Sequence, residues 1–192
     1  MNVFNVLISG VGGQGVLLTS KVIAEAALLA GLDVKQSEVH GMAQRGGSVL
    51  SQVRFGDKVL SPIITEGEAD LLIGFEPLET ARYLHFLKDD GVVIYNTRSI
   101  GTIGVSIAAE KYPSDINDVI KSRVKTVMVF DGTQLAVTAG DKRTLNLVLL
   151  GAALSYLPLK EAFVLDAIKN TVPKKVLEIN QKAFAAGRAQ GK

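Results

Sequence analysis

Through the first two thirds of the chain, short apolar runs alternate with stretches of helical periodicity, and the last third is helical throughout. Val3–Ser9 (VFNVLIS) is a nearly continuous apolar run ending at glycine, the pattern of a buried parallel strand. Val16–Leu29 follows as an Ala- and Leu-rich helix, with Gly31 placed for its C-cap. Asp33–Ser37 reads as a second strand, completing a right-handed βαβ unit. Ser48–Phe55 (SVLSQVRF) alternates apolar and polar positions, so it reads as half buried. Gly56-Asp57 signals a turn, across which Val59–Ile64 would be a hairpin partner. Ala69–Gly74 (ADLLIG), Gly91–Asn96 (GVVIYN) and Thr126–Phe130 (TVMVF) complete the strands.

Pro77 suits the first position of a helix that continues over Leu78–Leu87, and Asp115–Arg123 reads as a further helix. Between them, Gly101, Gly104 and Pro113 mark a loop, with a short strand near Gly104–Ile107. The C-terminal helices are expected at Gln134–Ala139, Thr144–Tyr156, Leu159–Asn170 and Pro173–Ala189, with Asp141 as a cap. The stripe Leu145, Leu149, Ala152, Ala153 and Tyr156 has core spacing. Strands alternating with helices predict a three-layer, Rossmann-like α/β domain with a mixed, mainly parallel sheet and a helical C-terminal third. At 192 residues the expectation is one domain, 1–192.

Composition removes whole classes of function. Hydrophobic residues at 47% and charged residues at 21% exclude a disordered chain. A net charge of +2 gives no argument for nucleic acid. The chain has no cysteine, so it can supply no disulfide scaffold, thiol nucleophile or thiolate-ligated zinc or iron–sulfur site. The opening MNVFNVLISGVGGQG lacks the basic segment and cleavage site of a signal peptide. Its apolar stretches fall short of the roughly 20 residues a spanning helix needs, so a cytoplasmic protein without a membrane partner is expected.

Two glycine-rich segments carry the candidate chemistry. Gly10-Val11-Gly12-Gly13-Gln14-Gly15 is a GxGxxG directly between a strand and a helix. Such a turn lets a phosphate approach unpaired amides at a helix N-terminus, although glycines there also serve packing alone. Glu38 lies about 20 positions on, where an acidic residue contacts a ribose in dinucleotide sites. The second segment contains Glu38, His40, Gly41, Met42, Gln44, Arg45, Gly46 and Gly47, at the carboxyl end of a strand. Met42 and Ala43 among polar neighbours indicate burial against something, and a buried arginine requires an acidic or phosphate partner. That favours an interface or active-site loop over plain surface. His85 reads as structural, and Glu66, Glu68 and Asp70 as a solvated acidic stretch. No HExxH, Walker lysine or GxSxG occurs.

GVGGQG followed by EVHGMAQRGG resembles the gamma domain of 2-oxoacid:ferredoxin oxidoreductases, and the likeness to small subunits of the indolepyruvate type runs through the whole chain. The resemblance implies oxidative decarboxylation of an aryl 2-oxoacid such as indolepyruvate, with coenzyme A as substrate, giving acyl-CoA, carbon dioxide and reduced ferredoxin. It implies thiamine diphosphate, Mg2+ and iron–sulfur clusters on a large partner subunit, with ferredoxin reached indirectly. This chain would bind no cofactor and hold no catalytic residue alone. The alternatives are a sister subunit specific for pyruvate or 2-oxoglutarate, and an independent nucleotide-binding protein using the Gly10–Gly15 loop.

Overall fold

The computed structural model describes residues 1–41, 46–100 and 112–191. Six strands form one sheet: β1 (Phe4–Val11), β2 (Asp33–His40), β3 (Ser48–Gly56), β4 (Ala69–Gly74), β5 (Leu87–Asn96) and β6 (Thr126–Phe130). Their spatial order is β2-β3-β1-β4-β5-β6. The neighbours β1, β4, β5 and β6 run parallel, whereas β3 lies antiparallel between β2 and β1. The mixed, mainly parallel sheet is therefore as the sequence indicates, with one difference of topology. β1 and β2 point the same way, but β3 separates them, so the expected βαβ unit has a strand inserted between its two strands.

The helices are α1 (Val16–Leu29), α2 (Pro77–Arg82), α3 (Ile116–Arg123), α4 (Gly132–Ala139), α5 (Leu145–Ala153), α6 (Glu161–Thr171) and α7 (Leu177–Arg188). On one face of the sheet, α1 and the C-terminal helices bury Val6, Ile8, Val53, Ile73 and Ile94. On the other, α2 and α3 cover Leu7, Leu72, Val93 and Tyr95. Every residue of α5 is buried, which is why LNLVLLGAA is apolar all round rather than along one stripe. α7 packs so closely on α5 that a Cβ on Gly187 would lie 1.8 Å from the Val148 carbonyl oxygen.

Three expectations are corrected. Residues 57–65 form no strand, because side chains rather than a ladder satisfy their backbone. Asp33 Oδ2 accepts from the Val59 amide at 2.8 Å, and Gln52 Oε1 from the Ile64 amide at 2.7 Å. The Arg54 guanidinium holds the Ser61 and Ile63 carbonyls, and Pro62 has no amide to offer a ladder. The hairpin expected across Gly56-Asp57 is thus replaced by one joining β2 to β3. The helix expected through Leu87 ends at Arg82; His85 stands on a 3-10 turn, and β5 begins at Leu87. Asp70 is not solvated: it accepts the Asn5 amide at 2.7 Å and pairs with Lys88. The strand expected near Gly104–Ile107 lies outside the described residues.

Candidate functional site

The carboxyl ends of β1, β2, β4 and β5 meet at one edge of the sheet, where open α/β sheets place their ligands. The turn from β1 into α1 carries the first glycine motif. Gly13 and Gly15 adopt φ of 99° and 94°, the left-handed region that favours glycine. Gly15 is the N-cap of α1 and lies against Asn146, whose Cβ would be 3.0 Å from a Cβ added there. Gly10 is closed from the other side: its Cβ would meet Phe75 Cβ at 2.8 Å and Gln14 Oε1 at 2.9 Å.

Gln14 has its amide occupied by the main chain. Its Oε1 accepts from the Val11 amide at 2.6 Å, and its Nε2 donates to the Phe75 carbonyl at 3.1 Å. The side chain therefore ties the first glycine loop to the segment after β4. Among the described residues, the amides of Gly13, Gly15, Val16 and Leu17 have no backbone acceptor. With the N-terminus of a 14-residue helix behind them, they sit at the partially positive end of its dipole.

The insertion of β3 brings the second motif onto the first. Gly12 donates to the Gly47 carbonyl at 2.8 Å, and Gly46 donates to the Gly12 carbonyl at 3.5 Å. Gly46 has φ of 77°, and Gly41 donates to the Ser48 carbonyl at 3.4 Å across the neck of the second loop. His40 ends β2 at this same edge. Met42, Gln44 and Arg45 lie outside the described residues. Glu38 is exposed on edge strand β2, two strands from β1, and accepts from Gln36 Nε2 at 3.3 Å. The inserted β3 thus separates it from the Gly10–Gly15 loop more than a simple βαβ unit would.

Sequence reasoning missed the acidic residues beneath these loops. Glu76 is fully buried and caps α2, accepting the Glu79 amide at 2.8 Å. It also accepts the Tyr112 hydroxyl at 2.5 Å and the Ile100 amide at 3.3 Å. Burial and the bond to Glu76 raise the Tyr112 phenol above the ordinary tyrosine range. Glu79, 1% exposed, accepts the Ser48 hydroxyl at 2.5 Å and lies 3.1 Å from Arg82 Nε. Burial pushes its carboxyl up, against the lowering effects of Ser48 and Arg82. Pro77 at N1 was a usable signal, since the residue before such a proline is the cap.

This donor set does not fit an iron–sulfur cluster, because the chain has no cysteine. Among the described residues, no three His, Cys, Asp or Glu side chains are gathered as metal ligands. Amides at the start of a helix have the polarity that an anionic group such as a phosphate requires.

The family model for pyruvate ferredoxin/flavodoxin oxidoreductase matches residues 5–190. The chain is 41% identical to the indolepyruvate oxidoreductase subunit IorB of Pyrococcus horikoshii, over 97% of this chain and 95% of that one. It is 30% identical to the pyruvate/ketoisovalerate oxidoreductases common subunit gamma of Pyrococcus abyssi, over 91% and 89% of the two chains. Among solved structures, the gamma subunit of a keto/oxoacid ferredoxin oxidoreductase from Geobacter sulfurreducens superposes with a TM-score of 0.73 at 25% identity, covering 98% of each chain. The same fold occupies 31% of the longer 2-oxoglutarate:ferredoxin oxidoreductase chain from Magnetococcus marinus, at a TM-score of 0.75 and 19% identity. The chain belongs to the pyruvate ferredoxin/flavodoxin oxidoreductase family.

Proposed function

We propose that this chain is the small, gamma-type subunit of an indolepyruvate-type 2-oxoacid:ferredoxin oxidoreductase, a single unit over residues 1–192 that works only within a complex. The observation that carries the reading is the full-length match at 41% identity to a subunit named for indolepyruvate, against 30% to subunits named for pyruvate and ketoisovalerate. In the complex, a 2-oxoacid and coenzyme A would yield acyl-CoA, carbon dioxide and two electrons for ferredoxin. The iron–sulfur clusters belong to the large partner, since this chain has no cysteine to ligate them, and thiamine diphosphate with its Mg2+ is assigned there beside them.

The roles of this chain's residues follow from the joined loops. Gly13 and Gly15, with the amides that open α1, face the coenzyme phosphate. Gly10 and Gln14 hold the loop to Phe75. Gly12, Gly46 and Gly47 fasten the second loop against the first. That loop, through His40, Gln44 and Arg45, meets the large subunit, with Arg45 pairing an acidic or phosphate group at the junction.

Co-expression with the large subunit tests this assignment. Arg45→Ala should leave a buried partner charge unpaired, weakening assembly by about 2–5 kcal/mol. Arg45→Lys should rescue only in part, because a point charge lacks the planar fork. Wild-type assembly and turnover with indolepyruvate in Arg45→Ala, Arg45→Lys and His40→Ala alike would overturn the loop assignment. Faster turnover of pyruvate or 2-oxoglutarate would transfer the subunit to a sister enzyme. Tight NAD(P) or ATP binding by the isolated chain would favour an independent nucleotide-binding protein.

A further inference from the structure

We propose that the outer edge of β6 is a dimer surface, on which a second copy of this chain pairs antiparallel about Met128 to continue the sheet. β6 is the last strand and is hydrogen-bonded through β5 alone; among the described residues nothing pairs with its other edge. Within Thr126–Phe130 there is no charge, proline or glycine, and the register against β5 runs without a bulge. Val127 through Phe130 are only half buried. An apolar edge of this kind is a template for another strand.

The opposite edge of the sheet shows the contrast. β2 carries Asp33, Lys35, Glu38 and His40. Asp33 and Lys35 pair at 2.7 Å, and residues 57–65 run alongside, tied by the Ser37 hydroxyl to the Pro62 carbonyl at 3.4 Å. Charges and a covering loop blunt an edge against further pairing. β6 has no charge within its strand, and among the described residues no segment pairs with its outer edge.

The sequence around β6 is self-complementary. In antiparallel pairing about Met128, Val127 faces the copy's Val129 and Thr126 faces its Phe130. One step further out, exposed Lys125 faces the copy's exposed Asp131, and the two-fold axis makes that ion pair twice. Centring the pairing on Val127 would set Lys125 against Val129, and centring it on Val129 would set Asp131 against Val127. Only the Met128 register of these three keeps apolar residues together and opposes the charges.

The test uses the purified full chain. Light scattering across a concentration series should show the mass rising from 20.4 kDa towards twice that value. The chain has no cysteine, so a single Met128→Cys reports one contact. Opposed antiparallel Cα atoms stand about 4.5 or 5.5 Å apart, and either spacing suits a disulfide. Met128→Cys should form a covalent dimer under mild oxidation, while Leu60→Cys, at a position 85% exposed elsewhere, should not. Lys125→Glu should weaken the dimer about tenfold by turning two attractions into repulsions. Adding Asp131→Lys should restore it; Asp131 Oδ1 also accepts the Gln134 amide at 2.8 Å as the cap of α4, and thermal melts report the loss of that bond separately. A mass fixed at 20.4 kDa, with Met128→Cys crosslinking no faster than Leu60→Cys, would overturn the proposal. A dimer indifferent to Lys125→Glu would overturn it equally.

Discussion

Single residues hold the glycine loops in place, and two of them give sharp expectations. Gly15 has a left-handed φ and Asn146 against it, so a β-branched residue there meets both backbone strain and a neighbour. Gly15→Val should lower unfolding stability in urea by about 1–3 kcal/mol and should weaken assembly with the large subunit. A variant as stable and well assembled as wild type, with only its coenzyme affinity reduced, would show that the turn has no packing role beside the phosphate-facing one. Glu79 links α2 to Ser48, the first residue of β3, at the exit of the second loop. Its folded value is raised by burial, so the carboxyl takes up a proton on folding. Its contribution to stability therefore falls as pH rises from the ordinary glutamate range through the raised value, and stays low above it. Glu79→Gln keeps an acceptor for Ser48 and removes the charge. Chemical denaturation from pH 4 to pH 8 should show Glu79→Gln gaining on wild type as pH rises; a constant difference would contradict this reading.

At the scale of elements, the closest packing is the crossing of α5 and α7. A Cβ on Gly151 would lie 2.1 Å from the Phe184 carbonyl oxygen, and one on Gly187 is closer still to Val148. The obstruction is backbone, which cannot rotate aside, so the helices must move apart. Gly187→Ala should cost about 1–3 kcal/mol or more, despite alanine's better helix propensity. A melting temperature at or above wild type would show that the crossing is looser than described. The two glycines at this crossing read as ordinary helix positions in the sequence, because nothing local marks a contact between segments so far apart. The strands were more legible. TVMVF, ADLLIG and the first run declare themselves by being apolar and bounded by glycine or charge. The segment 57–65 misled because Val59 and Ile64 are buried as strand residues would be, while their amides are satisfied by Asp33 and Gln52.

For the whole molecule, layers and sheet type could be read from alternating patterns, but strand order could not. The insertion of β3 between β1 and β2 depends on long-range pairing that no local pattern encodes, and it is this insertion that joins the two glycine loops. The motifs were visible in the sequence; their union was not. Glu76 and Glu79 escaped notice because FEPLE looks like an exposed helix start, and only the fold buries both carboxylates. The resulting molecule joins two glycine loops at the carboxyl edge of its sheet and has no cysteine for a redox cluster, which is the basis for proposing it a supporting part in a larger enzyme.

Reconstitution measures that assignment most directly. Purified chain, large subunit and their mixture are assayed with indolepyruvate, coenzyme A and a ferredoxin-level acceptor, beside iron and sulfide analysis of each. The chain alone should be colourless and inactive, and adding it to the large subunit should restore coenzyme A-dependent turnover. A brown preparation of the chain alone with stoichiometric iron and sulfide, or a large subunit equally active without it, would contradict the account.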